Sequence, residues 1–245
     1  MEFRSGWLLN LTGRLTPYRE AWELQKALVV ARQQELVPDS LILLVHPPVI
    51  TIGRSGKREH LLIPPDILKA RGFEVYEIER GGSATYHGPG QLVGYPILHL
   101  RAYNEDIVRY MRNLEETIIR TIADFQIRGE RIRGYPGVWV DGAKIAAVGV
   151  AVKRKVTMHG FALNVDPDLS HFQVINPCGL GKPVTSMAAV LGHPVALEEV
   201  AESYTRHFMA TYHLVLTPVS FEGMQRQLEE LYGTALHPSE WSLNR

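Results

Sequence analysis

Only one cysteine, Cys178, occurs in the chain. No internal disulfide can form, which suits a reducing compartment and leaves that thiol free. Excess charge is also missing: 26 Lys+Arg stand against 26 Asp+Glu. The basic surplus that counterion release from nucleic acid rewards is therefore absent, and any charged partner must be met by a local patch. Apolar runs are short. The longest, such as Leu41 to Val45 and Ile145 to Val152, fall far below the ~20 residues that cross a bilayer. Met1 to Leu11 lacks the plan of a secretory leader, so a cytoplasmic protein without membrane or nucleic-acid partners is expected. Ten histidines are present, yet none lies in a His-Glu-x-x-His or Cys-x-x-Cys arrangement, and no metal is expected.

What remains is ordinary globular material. Over 245 residues, 45% hydrophobic and 21% charged, the chain can bury a full core. Trp7 to Leu11 reads as a strand, and Pro17 to Leu36 as a helix opened by a proline that needs no N–H partner in a first turn. Ser40 to His46, Val49 to Ile52, Val75 to Glu79 and Leu92 to Leu100 read as strands, and Ile63 to Arg71 as a short helix ended by Gly72. Asn104 to Ile127 carries apolar residues at Ile107, Val108, Met111, Leu114, Ile118, Ile119, Ile122 and Phe125, close to the helical period. Val138 to Val140 and Lys144 to Val152 bracket Asp141-Gly142, a strong hairpin signal because such a turn needs positive φ. Val156 to Val165 continues the sheet after the turn Lys153-Arg154-Lys155. Helices at Leu197 to Tyr212 and Phe221 to Tyr232 flank a strand at Leu214 to Leu216. Several hairpins and few strand-helix-strand units favour an α+β fold, with mixed or antiparallel sheets flanked by helices.

Three segments carry chemistry. Cys178 sits between Pro177 and Gly179, a turn-rich setting that presents a sulfur, although a buried inert cysteine is the competing reading. Lys144 lies among Ile145, Ala146 and Ala147, where a lysine is unusual; an edge-strand lysine pointing to water is its alternative. Placed about 4 Å from Cys178 it would depress the thiol pKa and supply a thiolate. The loop Arg80 to Gln91 holds four glycines between two strands, so backbone can approach a ligand there. It is not a dinucleotide fingerprint, since Gly88, Gly90 and Gly94 are misspaced and a strand follows. Gly179-Leu180-Gly181-Lys182 likewise fails as a phosphate loop. His87 and His159 each adjoin a glycine near a candidate site, with a structural role as the alternative.

Taken in order, Arg80-Gly81-Gly82 with Thr85-Tyr86-His87-Gly88-Pro89-Gly90-Gln91, Gly137-Val138-Trp139 with Lys144-Ile145-Ala146-Ala147, His159-Gly160-Phe161-Ala162-Leu163-Asn164 and Asn176-Pro177-Cys178-Gly179-Leu180 resemble the octanoyl-[acyl carrier protein]:protein octanoyltransferase family. The resemblance implies the biotin/lipoate protein ligase-like catalytic domain over residues 1–218, with residues 219–245 a helical extension packed on the same domain. It implies transfer of an octanoyl group from acyl carrier protein to Cys178, and then to a lysine on lipoyl domains of 2-oxo acid dehydrogenases or the glycine cleavage H protein. No ATP, metal or other cofactor takes part, and a monomer is expected. Cys178 and Lys144 become the catalytic pair. Arg80, Gly81, Gly82, Ser83, Ala84, Thr85, Tyr86 and His87 form the substrate pocket with Ala147, Val148, Gly149, Gly160, Phe161 and Ala162. His159, Gly179 and Leu180 support them. Lys153-Arg154-Lys155, or Arg128, Arg131 and Arg133, are candidate docking patches for the acidic carrier. An ATP-dependent lipoate or biotin ligase, an amidotransferase acting between lipoyl proteins and a non-catalytic carrier-binding module are the competing functions; Cys178 with Lys144 argues against the ligase.

Overall fold

The computed structural model describes residues 3–175 and 182–234. Its spine is a sheet in the order β11-β1-β2-β6-β10-β9-β8-β7. Strands β11 (Leu214–Pro218), β1 (Arg4–Leu15) and β2 (Asp39–Val45) run parallel. The rest is antiparallel: β6 (Gln91–Ile97), β10 (Val156–Asn164), β9 (Ala143–Lys153), β8 (Tyr135–Val140) and β7 (Glu130–Ile132). A smaller sheet joins β4 (Glu74–Glu77), β3 (Val49–Ile52) and β5 (Ala84–His87). The α+β layout agrees with the sequence reading.

Helices cover both faces of the large sheet, which is why β2, Asp-Ser-Leu-Ile-Leu-Leu-Val, is buried along its whole length. On one face α3 (Ile107–Asp124) lays Leu114, Ile118 and Ile122 against α5 (Leu197–Tyr212) and the sheet. On the other, α1 (Tyr18–Gln33) packs beneath α6 (Phe221–Thr234): Met224 and Leu228 are buried there, and the Tyr232 hydroxyl donates to Ala27 O at 2.7 Å. The short helices α2 (Pro65–Ala70) and α4 (Met187–Leu191) complete the set. Among the described residues no helix is long and apolar enough to cross a membrane.

Local chemistry sets several boundaries. Asn104 and Glu105 take φ of 61° and 56°, and the Asp106 carboxylate accepts from Arg109 N. Helix α3 therefore starts three residues later than its apolar pattern suggests, and Ile107 and Val108 in its first turn stay exposed. Asp141 and Gly142, at 48° and 78°, make the expected tight hairpin. The glycine-rich segment departs from expectation: a third of it is strand β5, paired antiparallel to β3 with Tyr86 opposite Ile50. Four residues between glycines are too few to show a period in sequence.

Candidate active site

A cavity of about 910 Å³ draws its walls from the Arg80–His87 segment, β9 and β10. Small side chains make its floor. In the β9–β10 register Ala147 faces Ala162 and Gly149 faces Gly160. A Cβ on Gly149 would come within 3.1 Å of Gly81 O and 3.2 Å of Arg80 Cδ, so the glycine lets the Arg80–Gly82 loop lie on the strand. Gly81 N then donates to Val150 O at 2.9 Å. Arg80 is a fixed internal cation: buried, it donates to Thr51 O at 2.7 Å, to Thr51 Oγ1 and to Gly81 O. Its visible work is to hold the loop against β3.

One end of the cavity is a ring of buried aromatic and imidazole groups. His46 Nδ1 lies 2.7 Å from Thr16 O, an acceptor only, so Nδ1 carries the proton and Nε2 accepts from the Tyr95 hydroxyl at 2.7 Å. Burial pulls His46 down to about 4, partly opposed by that Thr16 contact, and so it is neutral. Burial also holds His87 well below its ordinary value, reinforced by nearby His46 and Arg80. His159 sits at φ 58° in a break of the β10–β6 ladder, with its backbone N–H donating to Gln25 Oε1 at 2.8 Å. Burial lowers its pKa as well, while Glu79 Oε2, 3.7 Å from its Nε2, partly offsets that effect. For Glu79 burial acts upward but is outweighed by hydrogen bonding to His159 and Trp22, and its carboxyl is held down at about 2. Tyr18 stacks on His87, their rings 6.5 Å apart and 10° from parallel.

Lys144 stands toward the opposite end. Its N–H donates to Pro183 O at 2.9 Å and its carbonyl accepts from Thr185 N at 3.0 Å. Both edges of β9 are engaged there, so Lys144 is not the solvent-facing edge residue of the alternative reading. Its Nζ lies 4.8 Å from the centroid of the Trp139 ring, and Lys182 Nζ lies 4.4 Å and 5.3 Å from the Tyr135 and Trp139 rings. Two ammonium groups thus share one aromatic shelf at the rim.

Cys178, Gly179 and Leu180 lie outside the described residues. Ile175 and Lys182, which flank that segment, both line the cavity. So do the other expected positions: Arg80 through His87, Lys144, Ala147 to Gly149, and His159 to Ala162. Phe161 contributes chiefly to packing, its ring centroid 4.3 Å from that of Tyr204. Residues that sequence reasoning passed over include Tyr18, Tyr95, Tyr135 and Lys182; Trp139 was noted only within a motif. Among the described residues no cluster of three or more His, Cys, Asp or Glu is arranged to hold a metal. The Lys153–Lys155 turn sits at the far end of β9 from Lys144, and Lys155 is paired with Glu105 at 2.7 Å. Arg131 is engaged by Glu115 and Glu116.

Residues 17–209 match the lipoyl protein ligase A/B catalytic domain family. The chain is 52% identical to an octanoyltransferase of Solibacter usitatus over 210 residues, spanning 86% of this chain and 94% of that protein. It is 47% identical to an octanoyltransferase of Gloeobacter violaceus over 209 residues, 85% and 91% of the two chains. A putative lipoate protein ligase from T. acidophilum superposes with a TM-score of 0.70 at 18% identity, covering 97% of this chain and 98% of that one, and shares its fold.

Proposed function

The chain belongs to the lipoyl protein ligase A/B catalytic domain family, and from that premise we propose that it is an octanoyltransferase that works through a thioester on Cys178. The thiolate of Cys178 attacks the thioester carbonyl of octanoyl-acyl carrier protein, and the carrier's phosphopantetheine thiol leaves with a proton. The ε-amine of a lysine on a lipoyl domain then attacks the enzyme thioester. An amide forms, the Cys178 sulfur departs, and one amine proton is lost. Exchange of one thioester for another is nearly balanced, and conversion of thioester to amide runs downhill, so no ATP is consumed.

The observation that carries this reading is the setting of Lys144. It is a half-buried lysine on the rim of an acyl-sized cavity, and its main chain is clamped to Pro183 and Thr185, just beyond the segment that holds Cys178. As a cation it favours the thiolate; as a neutral amine in a partly desolvated site it takes a proton from the incoming lysine. The apolar floor suits the tail, since burying about seven carbons is worth roughly 5–6 kcal/mol at ~0.8 kcal/mol per CH₂. Of the two basic patches, Arg128, Arg131 and Arg133 are the better carrier dock, because Arg133 lies two residues before Tyr135, which opens β8 and lines the cavity.

Intact-mass measurement after mixing with octanoyl-carrier protein, without ATP, tests the proposal. A gain of one octanoyl unit that hydroxylamine removes and Cys178→Ser abolishes is the expected result. No acyl-enzyme, or acylation only with ATP and free octanoate, refutes it.

A further inference from the structure

The cavity is apolar along its floor and polar at its inner end. Tyr18, His87, Tyr95 and His159 all line it there, and each is at least nine-tenths buried. Among the described residues His87 Nδ1 has no hydrogen-bond partner, and His159 Nε2 has only the Glu79 carboxylate, 3.7 Å away. Behind them His46 fixes the Tyr95 hydroxyl through the relay from Thr16. Buried polar atoms left in this way are satisfied by water, and the space beside them is polar and roomy enough to hold it.

Distance places this wall at the far end of an acyl chain. Lys144 and Val150 on β9 are separated by roughly 20 Å at about 3.3 Å per residue. Val150 is paired with His159 across the β9–β10 ladder. An extended eight-carbon acyl group covers roughly 10 Å, given C–C bonds of about 1.5 Å. From the Lys144 end an octanoyl group therefore ends short of the imidazoles, and each added carbon carries the chain toward them.

We propose that Tyr18, His87, Tyr95 and His159 form a hydrated end stop that sets acyl chain length. Resting on the transfer function proposed above, it adds a specificity determinant to that reading. Carbons within the Ala147–Ala162 corridor gain from burial; carbons beyond it meet a polar wall and displace water from His87 Nδ1, which has no other partner among the described residues. Selection against longer chains therefore comes from desolvation of polar groups as much as from lack of room.

The test is competition among octanoyl, decanoyl and dodecanoyl thioesters for single-turnover acylation, read by intact mass. The wild-type protein should prefer octanoyl over dodecanoyl by at least tenfold. His87→Leu, close in volume but apolar, should reduce that ratio to threefold or less while octanoyl-enzyme still forms. Tyr95→Phe removes only the hydroxyl and should shift the ratio the same way, which keeps the test decisive if the leucine variant does not fold. A wild-type protein indifferent to length, or folded variants with an unchanged octanoyl-to-dodecanoyl ratio, overturns the end stop. Formation of octanoyl-enzyme in those same experiments leaves the transfer reading standing. Absence of any acyl-enzyme at every chain length removes both.

Discussion

Replacing Lys144 by alanine separates the two half-reactions. The substitution should leave the fold intact, because the bonds of residue 144 to Pro183 and Thr185 use main-chain atoms, which alanine keeps. If the ammonium stands about 4 Å from the sulfur, as the proposed pairing requires, an effective dielectric of ~20 favours the thiolate by about 4 kcal/mol, or about three pKa units. The proposed pairing would therefore hold the wild-type thiol about three units below a free thiol near 8.5. At pH 7 the variant keeps roughly 3% thiolate against nearly all, a loss of about 30-fold. The more basic thiolate is also more nucleophilic, by about 20-fold for a Brønsted slope of ~0.45 across three units. These effects nearly cancel at neutral pH. Acylation of Lys144→Ala should thus lie within a few-fold of wild type at pH 7, fall about 25-fold behind at pH 5.5, and overtake it just above pH 7 to run about 15-fold faster at pH 9. Aminolysis has no such compensation. Loss of the proton acceptor should slow transfer to the lipoyl lysine by roughly 10²–10⁴-fold, so acyl-enzyme accumulates. Single-turnover acylation from pH 5 to 9, followed by a chase with lipoyl domain, reads both. A variant slower by one constant factor at every pH, or an acyl-enzyme that turns over normally, refutes the pairing of this amine with the sulfur.

Three further outcomes follow from the geometry. Gly160→Ala should destabilise the protein by about 3 kcal/mol in urea unfolding, because the added Cβ collides with Gly94 O, part of the β6 backbone rather than a flexible side chain. For Glu115→Ala a loss of about 2 kcal/mol is expected. Its buried carboxylate accepts from Gly137 N at 3.0 Å, so removal strands that donor, while Arg112 and Arg131 are exposed enough to be rehydrated. Stability should also fall on acidification. His46 is held at about 4 in the folded chain and returns to about 6.5 when unfolded. Between those values the unfolded state binds more protons, so stability rises with pH, and His46 alone contributes about 2 kcal/mol of loss from pH 6.5 to pH 5. Urea midpoints at pH 7 and 5 measure it, and His46→Gln should shrink the difference.

The parts legible in the sequence were those written in local chemistry. Helix α3 declares itself by its apolar period, and the β8–β9 hairpin by Asp141-Gly142, whose positive φ values few other pairs accept. What sequence could not show was fixed by distant partners. The break in β10 at His159 depends on Gln25, the phenol of Tyr95 on His46, and the exclusion of Lys144 from the sheet edge on residues 183–185. Tyr18 gives no chemical signal where it stands, just inside a helix start; it becomes a cavity residue only because α1 is laid across the site. The pocket positions, by contrast, came as a set from the resemblance of the ordered motifs to the octanoyltransferase family.

Side chains withheld from the strands are the physical origin of the cavity. A sheet covered on both faces normally fills its interior with branched side chains, as β2 does. At Gly149, Gly160, Ala147 and Ala162 the floor instead gives up volume on neighbouring strands in register, so the loss adds into one continuous space rather than scattered voids. Gly94 on β6 gives up its side chain for packing instead: a Cβ there would collide with the Phe161 ring that packs on Tyr204. The space stays open because its roof is braced independently, by the buried Arg80 guanidinium bonded to Thr51 and by Gly81 N bonded to Val150 O. A larger residue at Ala147 or Ala162 would fill this space without disturbing the brace. Such changes should reduce acyl binding while sparing stability, the reverse of the pattern expected for Gly160→Ala.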